Sequence, residues 1–181
     1  MPAPNYRSSL IESQGDGTAV TLVAEASLLP AQAKLTLPAN YIYRVGQRFQ
    51  VKAKGRISNV VTTPGTLTIR LKFGAIIVAA SKAIPLNIVA KTNVGWDLAW
   101  DLVIRSIGAG TGATFMHNGV WTSESVVGTP AGAAGGAILQ DAPAVGTGFD
   151  STIANVIDLA AIFSITGNSM LCHQYAFEST N

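Results

Sequence analysis

The sequence predicts an all-β domain, an antiparallel β-sandwich of jelly-roll type, with a barrel as the alternative. Apolar and polar residues alternate over Leu67–Phe73 and again over Trp96–Ile104, which is the period of a half-buried strand. Turn signals rich in Gly, Pro and Asn separate short runs of this kind, and no segment shows a convincing helical period. We therefore expect one sandwich domain over residues 18–181, preceded by an N-terminal arm over residues 1–17.

The first third of the chain predicts the arm and two weak strands. Residues 1–17 are polar and rich in turn residues, and we expect a neighbouring subunit to order them. The segment Thr18–Ala26 alternates weakly. Ala33–Leu37 predicts a short strand that ends at Pro38, because proline has no N–H to give to a ladder.

The middle of the chain gives the clearest strands. Phe49, Val51 and Ala53 alternate with polar residues, and Gly55 after them suggests a β-bulge. Thr63-Pro-Gly65 predicts a turn. The next two strands, Leu67–Phe73 and Ala75–Ala80, are separated by Gly74 and predict a hairpin.

The last third predicts two strand pairs with a long loop between them. Trp96–Ile107 alternates, turns at Gly108–Gly112 and returns as Thr114–Thr122, and a Gly/Ala/Pro-rich loop then covers Gly128–Asp150. The closing strands are Ile153–Ile165 and Met170–Phe177, and Gly167-Asn168 between them is a hairpin signal. The first of these also suits a helix in part, but alternation from Ile157 to Ile165 favours a strand.

Composition points to a protein that works through its surfaces. Charged residues make up 12% of the chain and the net charge is +2, against a usual charged share of roughly 25%, so clustered basic residues for nucleic acid are lacking. The 48% of apolar residues predicts surface buried between subunits. Cys172 is the single cysteine, which excludes an intrachain disulfide and predicts a buried thiol and folding in a reducing compartment. No apolar run reaches the length of a signal peptide core or a membrane span.

Residues that could carry chemistry are few, and a structural role is the favoured interpretation of each. His117 and His173 lie on predicted strands. If they meet across the sheet, they could be metal ligands, or a general base and the residue that orients it. If they do not meet, they are ordinary hydrogen-bonded or interface imidazoles. Asp97 and Asp101 share a strand face at roughly 13 Å, too far for glycoside cleavage by paired carboxylates and suited to a solvated charged face.

The remaining candidates are equally weak. Ser8, Ser9, Ser123 and Ser125 lack the context of a nucleophile elbow. The glycines of residues 108–112 lack the Gly-Lys-Ser/Thr ending of a phosphate loop. Trp96, Trp100 and Trp121 could stack on sugars if exposed, but their spacing favours the core. We expect no enzyme, no cofactor and no metal.

Several sequence segments, taken in their order along the chain, resemble a known family. They are Leu35–Asn40, Val45–Ser58, Val61–Leu71, Gly146–Thr152 and the closing His173–Asn181. Over residues 20–181 the set is similar to small virion structural proteins of tailed bacteriophages. The similarity lies in these segments and in their order along the chain, and no catalytic motif is part of it.

The resemblance implies a jelly-roll-like sandwich that assembles as a homotrimer on the particle surface after synthesis in the host cytoplasm. A capsid decoration (cement) protein bound to the major capsid protein is the favoured role, and a tail or fibre component, with glycan binding as an option, is the alternative. Nucleic acid and membranes are not expected partners. The contact residues that we predict, from the arm and the glycine-rich loop, are Pro2, Pro4, Tyr6, Arg7, Leu10, Pro130, Leu139 and Phe149.

Overall fold

The computed structural model describes residues 7–21, 23–127, 132, 134–135 and 144–180. Within them the strands are β1 (Arg7–Glu12), β2 (Ala26–Ser27), β3 (Thr36–Leu37), β4 (Arg48–Asn59), β5 (Thr66–Phe73), β6 (Ile76–Ala80), β7 (Ile84–Pro85), β8 (Lys91–Ser106), β9 (Thr114–Ser123), β10 (Val126–Val127), β11 (Ala134–Gly135), β12 (Ala144–Val145), β13 (Asn155–Phe163) and β14 (Ser169–Thr180). A 3₁₀ turn covers Ala31–Ala33. No helix in this part of the chain has the length and apolar character to cross a membrane.

Two antiparallel sheets pack face to face, which confirms the predicted sandwich. The first sheet, sheet A, has the order β1-β14-β4-β8-β9-β12. The second, sheet B, has the order β2-β13-β5-β6, with β3 added to β13 and β7 added to β5. Along the described strands the chain crosses between these two sheets six times: between β1 and β2, β3 and β4, β4 and β5, β7 and β8, β12 and β13, and β13 and β14.

Alternation along the strands decides which side chains enter the core. In β8 the residues from Trp96 to Ile104 at every second position are buried, and those between them face solvent or are half-buried. The predicted hairpins β5–β6 and β8–β9 form as expected. The predicted strand over 153–165 also forms, as β13, so its helix-like spacing has no structural counterpart.

A cluster of phenylalanines fills one half of the space between the sheets. The rings of Phe115 and Phe149 stack with centroids 5.0 Å apart, and Phe73 meets both edge-on at 5.3 and 5.0 Å. Phe49 stacks on Phe177 at 5.3 Å and touches Phe115 edge-on at 6.2 Å. Each fully buried ring stabilises the fold by about 1.5–3 kcal/mol relative to an exposed one, so this cluster joins the two sheets strongly.

The closing strands differ from the prediction in their pairing. The Gly167-Asn168 reversal was expected to make a hairpin, and this expectation is wrong, because β13 belongs to sheet B and β14 to sheet A. Asn168 is buried and binds the loop before β5, since its amide donates to Pro64 O at 2.8 Å and its Oδ1 accepts from Val60 N–H at 3.0 Å. The reversal therefore crosses the sandwich.

The predicted bulge at Gly55 lies instead on the facing strand. Cys172 pairs with Gly55 and Gln174 pairs with Lys54, so His173 is the extra residue of β14. Gly55 is needed for another reason. A Cβ there would collide with the Leu171 carbonyl group and would lie 2.9 Å from Trp96 Nε1.

The described part of the predicted arm belongs to the sandwich. β1 pairs with β14 of the same chain, and Leu10 and Ile11 pack against the core. After β1, Gly17 N–H donates to Cys172 O at 2.8 Å. Residues 7–17 are thus ordered by the chain's own C-terminal strand, where a neighbouring subunit had been expected.

Two short segments at the edge of sheet B are held by charges. Glu25, just before β2, accepts from Arg70 Nη1 at 2.7 Å and also pairs with Lys72. Asp158 of β13 accepts from Ser27 Oγ at 2.5 Å and from Lys34 Nζ at 3.0 Å. These contacts fix β2 and the segment that follows the 3₁₀ turn; Ala33–Leu37, predicted as one strand, is strand only at Thr36–Leu37.

Candidate functional site

The two histidines lie far apart on sheet A. His173 belongs to β14 and His117 to β9, and β4 and β8 separate these strands. At about 4.8 Å per strand they are at least ~14 Å apart. His173 Nδ1 contacts Asp16 Oδ1 at 2.7 Å, and the buried His117 ring meets Trp100 edge-on at 5.8 Å. They form no common site, and no group of three potential metal-binding side chains occurs among the described residues.

The two aspartates of β8 belong to a solvated charged face. Asp97 Oδ2 lies 2.6 Å from Lys54 Nζ, and Asp101 Oδ1 accepts from Gln50 Nε2 at 3.0 Å. Both partners come from β4, directly across the ladder. The arrangement is that of cross-strand polar pairs, as the sequence predicted.

The three tryptophans are core residues. Trp96, Trp100 and Trp121 are 3%, 2% and 0% exposed. Trp96 Nε1 donates to the carbonyl oxygens of Arg56 at 3.2 Å and Leu171 at 3.1 Å. They cannot serve as a platform for sugar rings, because such stacking needs an exposed indole face.

The glycine turn at residues 108–112 is a structural turn. Gly110 N–H donates to Asp150 Oδ2 at 2.8 Å, and Gly108 N–H donates to Ser151 Oγ at 3.0 Å. Hydrogen bonds from the Thr152 side chain and from the backbone of Gly110 lower the pKa of Asp150 below its usual 3.8. The Gly110 N–H that a phosphate would use is therefore already bound to a fixed carboxylate.

One end of the sandwich gathers several exposed apolar side chains on loops that are bonded to one another. We call this surface the loop end; it consists of loops 38–47, 107–113 and 150–154. It exposes Tyr43, Val45, Ile107 and Ile153, with 61%, 60%, 43% and 54% of each residue accessible. Single exposed apolar residues are normal, but several on adjoining loops are typical of a contact surface.

Backbone hydrogen bonds fix these loops relative to each other. Gly46 N–H donates to Ile104 O and Ile104 N–H donates to Gln47 O, both at 2.9 Å, which joins the first loop to the end of β8. Asn40 N–H donates to Ser151 O at 3.1 Å, and Ser151 N–H donates to Gly108 O at 3.0 Å. Ser151 thus connects all three loops.

Buried polar side chains complete the support. Gln47 is 2% exposed. Its Oε1 accepts from Tyr43 N–H at 3.3 Å and its Nε2 donates to Tyr41 O at 3.4 Å, so one amide closes the loop on itself. The Arg44 guanidinium lies 5.9 Å from the centroid of the Tyr43 ring. The apolar side chains are therefore presented on a prearranged backbone, which lowers the entropy cost of binding a partner.

The structure places the predicted contact residues in different environments. Arg7 is half-exposed and pairs with Glu178 at the start of β1, on the edge next to the loop end. Leu10 is partly buried against the core. Phe149 was predicted as a contact, and the structure corrects this, because its ring is 1% exposed between Phe73 and Phe115 and supports the loop end from beneath. Pro2, Pro4, Tyr6, Pro130 and Leu139 lie outside the described residues.

Reasoning from the sequence missed the exposed residues of the loop end. Two of them lie beside a glycine turn, since Val45 precedes Gly46 and Ile107 precedes Gly108. An apolar residue next to a glycine turn is the signal that could have found these two, whereas Tyr43 and Ile153 have no such neighbour. It could not have shown that the three loops adjoin.

Comparison with known proteins adds little to this picture. No protein-family model matches the chain, and no curated protein sequence matches it. One solved structure that is similar is described as the CBM2 module of Lactobacillus casei BL23 phage J-1 evolved Dit. The identity is 11%, the match covers 99% of this chain and 98% of that one, and the TM-score is 0.36. A similarity at this level carries no argument about function.

Proposed function

We propose that this protein is a structural component of a bacteriophage virion, and that its role is capsid decoration as a trimer on the major capsid protein. The observation that carries the proposal is the loop end, a rigid surface of adjoining loops with four exposed apolar side chains. The sequence segments that resemble small virion proteins support the same role. The low charge supports it too, since a protein that buries its surface in an assembly needs few solvating groups.

The arrangement of these residues suits a protein-binding surface better than a catalytic site. The histidines and the tryptophans are separated or buried, as described above, whereas the loop end combines apolar tips with fixed hydrogen bonds. Binding to a shell requires shape and buried area, roughly 800 Å² on each partner for a stable contact. A trimer would place three copies of the loop end around one threefold axis and multiply a weak individual contact.

The test is binding of purified protein to phage particles that lack it. We expect wild-type protein to co-sediment with the particles and to raise the temperature at which they release DNA. The double variant Tyr43→Ser/Val45→Ser should bind about 5- to 30-fold more weakly, because two exposed apolar side chains at an interface contribute roughly 1–2 kcal/mol.

Val120→Ser is the matched control, because Val120 is 40% exposed but lies on the outer face of sheet A, far along β9 from the loop end. It should bind as wild type does. Sedimentation velocity of the free protein tests the trimer separately. Equal binding by wild type and the double variant would refute the role of the loop end, and no binding to any particle would refute capsid decoration.

A tail or fibre component is the second candidate, because a rigid loop end serves a host receptor equally well. Its glycan-binding form would use Tyr43, the aromatic residue with the most exposed ring among those that the structure describes, beside Arg44. Labelling of the protein on intact phage separates the two roles. Density distributed over the shell favours decoration, and density at the tail tip favours the alternative.

A further inference from the structure

The outer face of sheet A carries a depression that the loop end does not use. Its volume is about 280 Å³, near the lower limit for small ligand sites. Ala176 of β14 forms its floor, since its neighbours along the strand face, Gln174 and Glu178, carry long side chains. Glu12 of β1 and Lys52 of β4 pair with Ala176 from either side, so they stand two strand spacings, about 10 Å, apart.

The charged side chains around the depression differ in whether they have an ion-pair partner. Lys52 Nζ lies 3.3 Å from Glu178 Oε1, and Lys54 Nζ lies 2.6 Å from Asp97 Oδ2. Glu178 also pairs with Arg7. Glu12 is exposed and makes no ion pair within the described ranges. The wall formed by β1 thus offers an uncompensated carboxylate, whereas the cations of the opposite wall already have partners.

We propose that this depression receives a lysine or arginine side chain of a partner protein. The aliphatic stem would lie on the Ala176 methyl group, and the cationic head would reach Glu12, with Gln174 Oε1 as a second acceptor. An anion fits poorly, because Lys52 and Lys54 are committed to carboxylates. A sugar ring fits poorly as well, because the aromatic residue of the lining, Tyr175, is buried beneath the strand.

The inference does not depend on the virion role, because the site is defined by its own residues. A surface of this kind on a sheet face, four or more residues along β4 and β14 from the loop end, would give the protein a second contact of a different nature. The first contact is apolar and insensitive to salt, and the second is charged and weakens as ionic strength rises.

The test is an NMR titration of the full-length ¹⁵N-labelled protein. The probe is Nα-acetyl-lysine amide, and the control ligand is Nα-acetyl-norleucine amide, which keeps the stem without the charge. We expect saturable shifts of the amides of Glu12, Gln174 and Ala176 with the lysine probe alone. Glu12→Gln should weaken its binding about fivefold, the upper range for an exposed ion pair. Asp101→Asn, which alters a carboxylate on the same face, should leave the affinity unchanged.

The proposal is overturned by any of three results. They are equal shifts with the norleucine amide, an affinity of the Glu12→Gln variant within twofold of wild type, and equal shifts at Asp97 and Asp101, which would mean nonspecific attraction to carboxylates. Neither ligand nor variant requires a particle. Failure here therefore leaves particle binding untouched, and failure of particle binding leaves this site standing.

Discussion

Gly55→Ala should be among the most destabilising single-methyl changes in the chain. β4 approaches β14 closely beside the bulge at His173, so that a Cβ on residue 55 collides with the Leu171 carbonyl group and lies 2.9 Å from Trp96 Nε1. Both obstacles are fixed, one by the strand ladder and one by the packing of a buried indole. The strands must separate locally to admit the methyl group.

The magnitude follows from two contributions. Forcing a methyl group into a packed site costs about 1–3 kcal/mol. The Trp96 indole N–H donates to Arg56 O and Leu171 O, and loss of that bonding in a buried site adds about 1–2 kcal/mol. The free energy of unfolding should therefore fall by about 2–5 kcal/mol, a large part of the 5–15 kcal/mol of a typical domain.

Gly95→Ala is the matched control. Gly95 faces Arg56 in the same ladder, one position from the Gly55–Trp96 pair, and a Cβ there meets nothing within 4 Å. It should be neutral or stabilising by up to about 0.5–1 kcal/mol, because alanine loses less backbone entropy than glycine. The assay is urea unfolding followed by tryptophan fluorescence and circular dichroism. If Gly55→Ala costs less than Gly95→Ala or equals it, the steric reasoning is wrong.

Three further predictions concern the core and the charged edge. Phe149→Ala should cost about 3–5 kcal/mol in urea unfolding, whereas Ile153→Ala at the loop end should cost under about 0.5 kcal/mol; similar losses would contradict the assignment of Phe149 to the core. Hydrogen bonds from Lys72 and then Arg70 lower the pKa of Glu25 below its ordinary 4.5, so its stabilising contribution is complete above that value and is lost as the pH falls through the lowered pKa. Wild type should consequently lose more stability between pH 6 and pH 3 than Glu25→Gln, and identical profiles would argue against this pairing. Burial raises the pKa of the Cys172 thiol to about 12, so a disulfide reagent at pH 8 should label it only after denaturation; rapid labelling of the native protein would show that the thiol is accessible.

Local patterns in the sequence were enough for the fold class and for most of the long strands. Alternation identified β5, β8 and β9 and placed the tryptophans in the core, because the side of a strand on which a residue lies depends only on its position in the strand. Turn residues identified the two hairpins for the same local reason.

Long-range pairing decided the rest. Gly167-Asn168 predicts a reversal, but the burial of Asn168 against the loop before β5 determines that the chain crosses between sheets. Phe149 lies in a glycine-rich stretch that predicts a surface loop, yet its ring enters the phenylalanine cluster because β5 and β9 leave room for it there. The loop end and the Ala176 depression likewise join residues from distant parts of the chain. Alternation along the chain is enough to specify which residues face inward in each strand, whereas contacts between distant segments specify which strands are neighbours, because pairing depends on the packing of two sheets at once.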